Sequence, residues 1–284
     1  MKNQYFGDLN DYRKYSLLRG LTGRGRLAMA VCWALTPDDK GRDGSRISYL
    51  ADPSAWRGYD PEVFRFLRHQ VVDRGVRAVH AIHDAGILTN CRFYDEMLVD
   101  DSEGRDEYFD SFFDFSDGTD LVFFDPDNGL AVKSVERGKP RSSKYLFDSE
   151  VSRALAQDHS VLVYQHFPRR PHDAFVMGLA IRFHALRAAE WMFAFRTAHV
   201  VFALLPQPRH TRHLLESSLR IGRMWGSMMI VEAYRLGEPE GPARIASEQL
   251  DASRYGCEMG VDGRGRLGRG CAAASYGQSF SKNS

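Results

Sequence analysis

The reading of the fold turns on Leu121-Val122-Phe123-Phe124-Asp125-Pro126-Asp127-Asn128-Gly129-Leu130, an apolar run that ends abruptly at a carboxylate. Such a run, with no polar interruption, predicts a strand covered on both faces, as in a parallel sheet. Pro126 fixes φ and removes a backbone donor, while Asn128 and Gly129 tolerate positive φ, so a tight turn is predicted directly after Asp125. In open α/β sheets ligands bind beyond the carboxyl ends of such strands, which makes Asp125 and Asn128 candidates for chemistry. A plain turn explains the same residues, because Asp-Pro and Asn-Gly are ordinary turn formers.

The same pattern recurs on either side of this stretch. The run 27–33 leads into Thr36-Pro37-Asp38-Asp39, and the run 160–164 leads into Gln165-His166-Phe167-Pro168-Arg169-Arg170. Further strands are predicted at 47–50, 77–82, 200–205 and 227–234, with His80 read as a packed strand residue. Helices are predicted from Asp8 as N-cap, from Pro61, and over 102–115, 171–190 and 210–221. Alternating strands and helices predict an α/β, Rossmann-like, mostly parallel sheet of about six strands with helices on both faces. It forms one domain over 1–237, with Asp38, Asp125 and His166 converging on one sheet edge. From 238 to 284 Gly, Arg, Ser and Pro replace large apolar residues, and a disordered tail is predicted.

Composition narrows the class. Of 284 residues 43% are hydrophobic and 26% charged, as in a globular protein, and a formal net charge of +1 gives no global attraction to polyanions. Cys32, Cys91, Cys257 and Cys271 are widely spaced without a CxxC, which disfavours a zinc knuckle or disulfide framework. Met1 to Tyr5 has no apolar signal core and no stretch is long enough to span a bilayer, so a soluble cytoplasmic protein with no membrane partner is expected. The acids between Asp95 and Asp120 fit the solvated face of a helix that buries Tyr108, Phe109, Phe112 and Phe113. None of them is assigned to a metal.

Two polar clusters remain. Asp8, Asp11 and Lys14 gather at the start of the first helix, with Arg13 alongside; capping plus a solvated face accounts for them, and so does a ligand site. The segment 133–145, with Lys133 and Lys144, is a basic loop of the kind that contacts phosphate, and Arg169 follows the strand ending at His166. No GxGxxG follows the first strand and no GxxxxGK[ST] occurs, which removes the dinucleotide fingerprint and the P-loop.

Tyr5-Phe6-Gly7-Asp8-Leu9-Asn10-Asp11-Tyr12-Arg13-Lys14-Tyr15, taken with Phe123-Phe124-Asp125-Pro126-Asp127-Asn128-Gly129 and Tyr164-Gln165-His166-Phe167-Pro168-Arg169, resembles an uncharacterised family of bacterial proteins over about residues 1–234. More distantly, the Asp-Pro turn is similar to the Asp-Pro-Pro-Tyr motif of the N6-adenine methyltransferases. These include ribosomal RNA adenine methyltransferases whose N-terminal helix carries a Gly, Asp and Lys cluster. In those enzymes the Asp or Asn accepts a hydrogen bond from the target amine and the aromatic ring stacks on the flipped base. Asp125 and Pro126 match the motif, whereas Asp127 replaces the second Pro and Asn128 the ring. The resemblance implies a nucleic-acid-modifying enzyme that uses S-adenosylmethionine, with Asp125, Asn128 and His166 catalytic and Asp8, Asp11, Lys14, Asp38, Lys133, Lys144 and Arg169 binding substrate or cofactor. Two other classes stay open. Asp120 and Asp125 followed by Lys133 resemble the Asp...Glu-x-Lys order of metal-dependent nucleases and phosphoesterases, with Ala131 at the Glu position. A non-catalytic nucleotide-binding module would use the same sheet edge.

Overall fold

A computed structural model of the chain describes residues 1–39, 41, 43–187 and 189–246. In chain order the helices are α1 (Leu9–Leu21), α2 (Pro53–Trp56), α3 (Pro61–Arg68), α4 (Ser102–Phe115), α5 (Asp148–Ala156), α6 (His172–Leu186) and α7 (Pro208–Trp225). The strands are β1 (Met29–Cys32), β2 (Cys91–Tyr94), β3 (Leu121–Phe124), β4 (Gly129–Leu130), β5 (Tyr145–Leu146), β6 (Ser160–His166), β7 (Trp191–Arg196), β8 (Val200–Leu205), β9 (Ile230–Arg235) and β10 (Ala243–Ile245).

Eight strands form one sheet in the order β10-β9-β7-β8-β6-β3-β1-β2, and β4 pairs with β5 in a separate ribbon. The fold is α/β, as expected, but the sheet is larger than six strands and mixed. Strands β2, β1, β3 and β6 run parallel, whereas β6 to β8, β8 to β7, β7 to β9 and β9 to β10 are antiparallel. The change of direction follows from connection length. Only Thr197, Ala198 and His199 separate β7 from β8, too few for the crossover that parallel neighbours require.

Alternate residues of each central strand feed two cores. Val31, Phe123, Leu162 and Phe202 pack with Tyr12, Tyr15, Phe64, Leu214 and Trp225, placing α1, α3 and α7 on one face. Cys32, Phe124, Val163 and Ala203 pack with Phe109, Phe112, Val151, Val176 and Phe183, placing α4, α5 and α6 on the other. Burial on both faces explains why β1, β3 and β8 carry no polar side chain.

Several predicted elements differ. Residues 47–50 form no strand but a 3-10 turn, Ser48–Ala51, and 77–82 instead contains the 3-10 turn Val79–Ile82. There the backbone partners come from the N-terminal segment: Val79 N donates to Asn3 Oδ1 at 2.9 Å, and Arg77 binds the carbonyls of Gln4 and Gly44. Helix α6 stops at Leu186, with Arg187 at φ 50°, short of the expected end at 190, and 191–196, for which no element was predicted, forms β7. Strand β10 extends the sheet past residue 237; the rest of the expected tail, 247–284, lies outside the described residues. Among the described residues no helix is long and apolar enough to cross a membrane.

Candidate active site

Strand β1 has β2 on one side and β3 on the other, so the chain reverses its direction of travel across the sheet at β1. Asp125 follows β3 directly, and its N–H donates to Cys32 O at 3.0 Å, which holds it against the end of β1. Beyond this edge lies a cavity of about 410 Å³ whose lining includes Asp8, Asn10, Asp11, Lys14, Asp125 and Tyr164. That volume is in the range of small-molecule sites.

Helix α1 supplies one wall. Asp8 is its N-cap, accepting from Asn10 N at 2.9 Å on one oxygen and from Arg46 N at 3.0 Å on the other. Asp11 accepts from Gly7 N at 3.0 Å and from Lys14 Nζ at 2.8 Å, and Lys14 Nζ also donates to Asp125 Oδ2 at 2.6 Å. All three side chains are buried. Burial pushes the Asp11 carboxyl up to about 6 in spite of Lys14. The same burial works against the charge of Lys14, but Asp11 and Asp125 outweigh it and hold its pKa above the ordinary lysine value. The solvated face expected for this helix start is therefore absent. Capping accounts for Asp8, while Lys14 ties α1 to the end of β3.

The turn after Asp125 is fixed from several directions. Gln165 Oε1 accepts from Leu130 N at 2.7 Å, Gln165 Nε2 donates to Asn128 O at 3.3 Å, and Asn128 N donates to Lys144 O at 2.9 Å. Gly129, at φ 97°, lets Gln165 approach so closely that an added Cβ would lie 2.3 Å from its Oε1. Asp127, also in the cavity lining, reaches the end of β1, accepting from Thr36 Oγ1 at 2.7 Å and pairing with the Met1 ammonium at 2.8 Å. That ammonium also donates to Ala34 O at 3.1 Å and Asp125 O at 3.0 Å, filling a cation cradle between β1 and β3. It outweighs burial and holds the Asp127 pKa below the usual carboxylate value.

Of the residues selected from sequence, Asp8, Asp11, Lys14, Asp125, Asn128 and His166 line the cavity. Desolvation by the surrounding walls holds the His166 pKa below the ordinary imidazole value, against the pull of Asp125. Asp38, Lys133, Lys144 and Arg169 are not in that lining. Asp38 accepts from Gln4 N at 3.1 Å, and Lys133 and Arg169 are exposed. The basic loop is instead pinned by nearby acids: Arg137 pairs with Asp106 of α4 and Glu150 of α5, and Asp100, just before α4, accepts from Arg141 N at 2.7 Å and Ser143 N at 2.8 Å.

Tyr5, Asn10, Arg46, Tyr164 and His199 also line the cavity and were not selected from sequence. Tyr164 was legible as the last ring before the polar end of its strand, and Tyr5 as the first residue of the motif around Asp8. Nothing local marks Arg46, carried in by the loop before Ser48–Ala51, or His199, carried in by the turn between β7 and β8.

Chemically, Asp125 is a buried carboxylate with one oxygen committed to Lys14; among the described residues no donor takes the other. Such a group accepts a hydrogen bond from a ligand N–H or O–H without reorganising. No protein-family model, no curated protein and no solved structure matches the chain.

Proposed function

We propose that the chain is a nucleic-acid-modifying enzyme that acts on the exocyclic amine of a nucleobase, in the manner of the N6-adenine methyltransferases and with S-adenosylmethionine as methyl donor. The observation that carries this reading is the position of Asp125: buried, beyond the carboxyl end of the strand next to β1, anchored by Lys14 through one oxygen and open on the other to a cavity of about 410 Å³. A Rossmann-like reading of the parallel half agrees with it, because the cavity lies where the strand order reverses.

In this proposal Asp125 accepts a hydrogen bond from the target amine and aligns its lone pair, while Lys14 holds the carboxylate in place through its other oxygen. Tyr5 and Tyr164, which line the cavity, offer ring faces for the base that Asn128 does not. Ala34 O, Asp125 O and the Asp127 carboxylate form a cradle for an ammonium, but Met1 occupies it, so the α-ammonium of the methyl donor would have to displace Met1 to bind there. S-adenosylmethionine would supply an electrophilic methyl group.

The metal-dependent nuclease reading has less support. Lys14 already balances Asp11 and Asp125, Lys133 is exposed and not in the cavity lining, and among the described residues no group of three or more His, Cys, Asp or Glu is placed to hold an ion. The filled cradle favours a second reading, a nucleotide-binding module without turnover. Calorimetric titration with S-adenosylmethionine, followed by a methyl-transfer assay on adenine-containing RNA and DNA, separates the two. Asp125→Ala should abolish transfer and leave cofactor affinity within about threefold, since the residue orients the amine and contributes little to cofactor binding. Absence of S-adenosylmethionine binding at millimolar concentration rules out the methyltransferase.

A further inference from the structure

Arg13 has no role in the site as described so far, and its surroundings do not explain it. Its side chain is among the buried ones, with the residue only 4% exposed. No carboxylate lies within ion-pair distance of it among the described residues. Its one hydrogen bond, Nη1 to Asn10 Oδ1, is long at 3.4 Å, and its Nε has no partner at all. A guanidinium carries five donors, and burying it without an anion leaves a large desolvation cost uncompensated. Burial and the nearby Arg46 both hold its pKa below the ordinary arginine value.

Arg13 itself is not in the cavity lining, but basic side chains near it are. Asn10, which Arg13 touches, lines the cavity, and so do Arg46 and His199. Desolvation, then Arg46 and Arg13, holds the His199 pKa below the ordinary imidazole value, so the three side chains share one electrostatic neighbourhood. The acid among them, Asp8, is largely committed: each oxygen accepts a backbone N–H, and its ion pair with Arg46 is loose at 3.6 Å. An exposed acid, Asp43, also lines the cavity.

We propose that Arg46 and His199 at the wall of this cavity, with Arg13 buried behind Asn10, form a phosphate subsite, seating the phosphate of a nucleotide unit whose base lies toward Asp125. The proposal rests on the nucleobase reading above and adds what the ligand must carry. Planar guanidinium groups with unused donors match the oxygens of a phosphate, and an unpartnered buried arginine gains its missing hydrogen bonds when the anion arrives. Phosphate of this kind comes either from a free nucleotide or from the backbone of a nucleic acid.

The test titrates the full chain with inorganic phosphate, adenosine, 5′-AMP and a deoxyadenosine trimer lacking a terminal phosphate, using wild type, Arg13→Met and Arg46→Gln. Wild type should bind 5′-AMP or the trimer about tenfold or more tightly than adenosine, and both variants should lose that difference while adenosine affinity stays within about twofold. Preference for 5′-AMP identifies a terminal phosphate, and preference for the trimer identifies a backbone phosphate. Arg13→Met, which removes an uncompensated charge, should melt at or above the wild-type temperature. Equal affinity for adenosine and both phosphate-bearing ligands overturns the subsite, as does a phosphate preference that survives Arg46→Gln. Phosphate binding that both variants abolish, with no affinity for adenosine, would keep the subsite and remove the nucleobase reading.

Discussion

Replacing Lys14 by Met tests whether the buried charges of the site are coupled as their geometry implies. Lys14 Nζ lies 2.8 Å from Asp11 Oδ1 and 2.6 Å from Asp125 Oδ2, with each side chain 3% exposed or less. Methionine keeps the length of the stem and removes only the cation, leaving two buried carboxylates beside each other. Breaking a buried pair from one side costs about 3–5 kcal/mol, or roughly 6–20 °C in Tm for a domain of this size. The cost must depend on pH, and its sign follows from Asp11. With Lys14 present the Asp11 carboxyl already titrates at about 6, above its ordinary 3.8, so the folded state binds the proton more tightly than the unfolded one. Ionising Asp11 therefore lowers stability as pH rises from 4 to 6, by about 3 kcal/mol at about 1.36 kcal/mol per pH unit, and the loss is complete above 6. Without Lys14 the carboxyl holds its proton to still higher pH. At pH 5 Asp11 is then neutral in Lys14→Met, and the variant should recover much of the stability it lacks at pH 8. Urea unfolding followed by tryptophan fluorescence at both pH values measures the difference, and effects common to both proteins cancel. A loss below about 1 kcal/mol at pH 8, or an equal loss at pH 5 and pH 8, would refute the coupling.

Other positions give sharper local tests. Gly129→Ala should cost about 1–3 kcal/mol and weaken ligand binding, because φ 97° strains alanine and its Cβ would displace Gln165, read by thermal melting and titration together. Arg105 is fully buried, with bonds to Glu150 at 2.6 and 2.8 Å and to the carbonyls of Ser142 at 3.0 Å and Tyr145 at 2.8 Å. Arg105→Lys cannot reproduce that fork, and denaturant unfolding should show a loss of about 3–5 kcal/mol. Burial pushes the Cys32 thiol up to about 12, so mass spectrometry after iodoacetamide treatment should find Cys32 unmodified in folded protein and alkylated in urea.

Strands β1, β3 and β6 of the parallel half were legible because they are buried on both faces, and apolar runs such as 121–124 and 161–164 have few other readings; β2, only partly buried, was not predicted. The antiparallel half was less legible. Trp191 to Arg196 follows a helix with no Gly or Pro between them, and the stop at Arg187 depends on a left-handed residue that sequence does not announce. Arg77 to Ile82 looks like a strand by composition, yet Asn3, far away in sequence, takes a backbone donor that a ladder would have used. At the site, Asp125, Asn128 and His166 could be placed because the ends of parallel strands converge. Lys133 and Lys144 could not, because a basic loop is drawn equally by an absent phosphate and by an acidic neighbour, and here Asp100, Asp106 and Glu150 supply the neighbour.

The first turns of α1 distinguish what folding needs from what it does not. Asp8, Asn10, Asp11, Arg13 and Lys14 are all buried there, although Tyr12, Tyr15, Leu17, Leu18 and Leu21 already give the helix an apolar face against the sheet. Capping explains Asp8, and the bond from Gly7 N explains one oxygen of Asp11. Neither explains the cations. Lys14 reaches across 111 positions of sequence to Asp125, and Arg13 is buried with no anion beside it. A helix serving only as a packing surface would place both in water, where they cost nothing. Lys14 is at least balanced by two carboxylates, whereas a desolvated cation without an anion, such as Arg13, opposes stability, and such conflicts concentrate where a ligand completes the balance. On the phosphate-subsite proposal, one ligand would supply both the anion for Arg13 and the donor for Asp125.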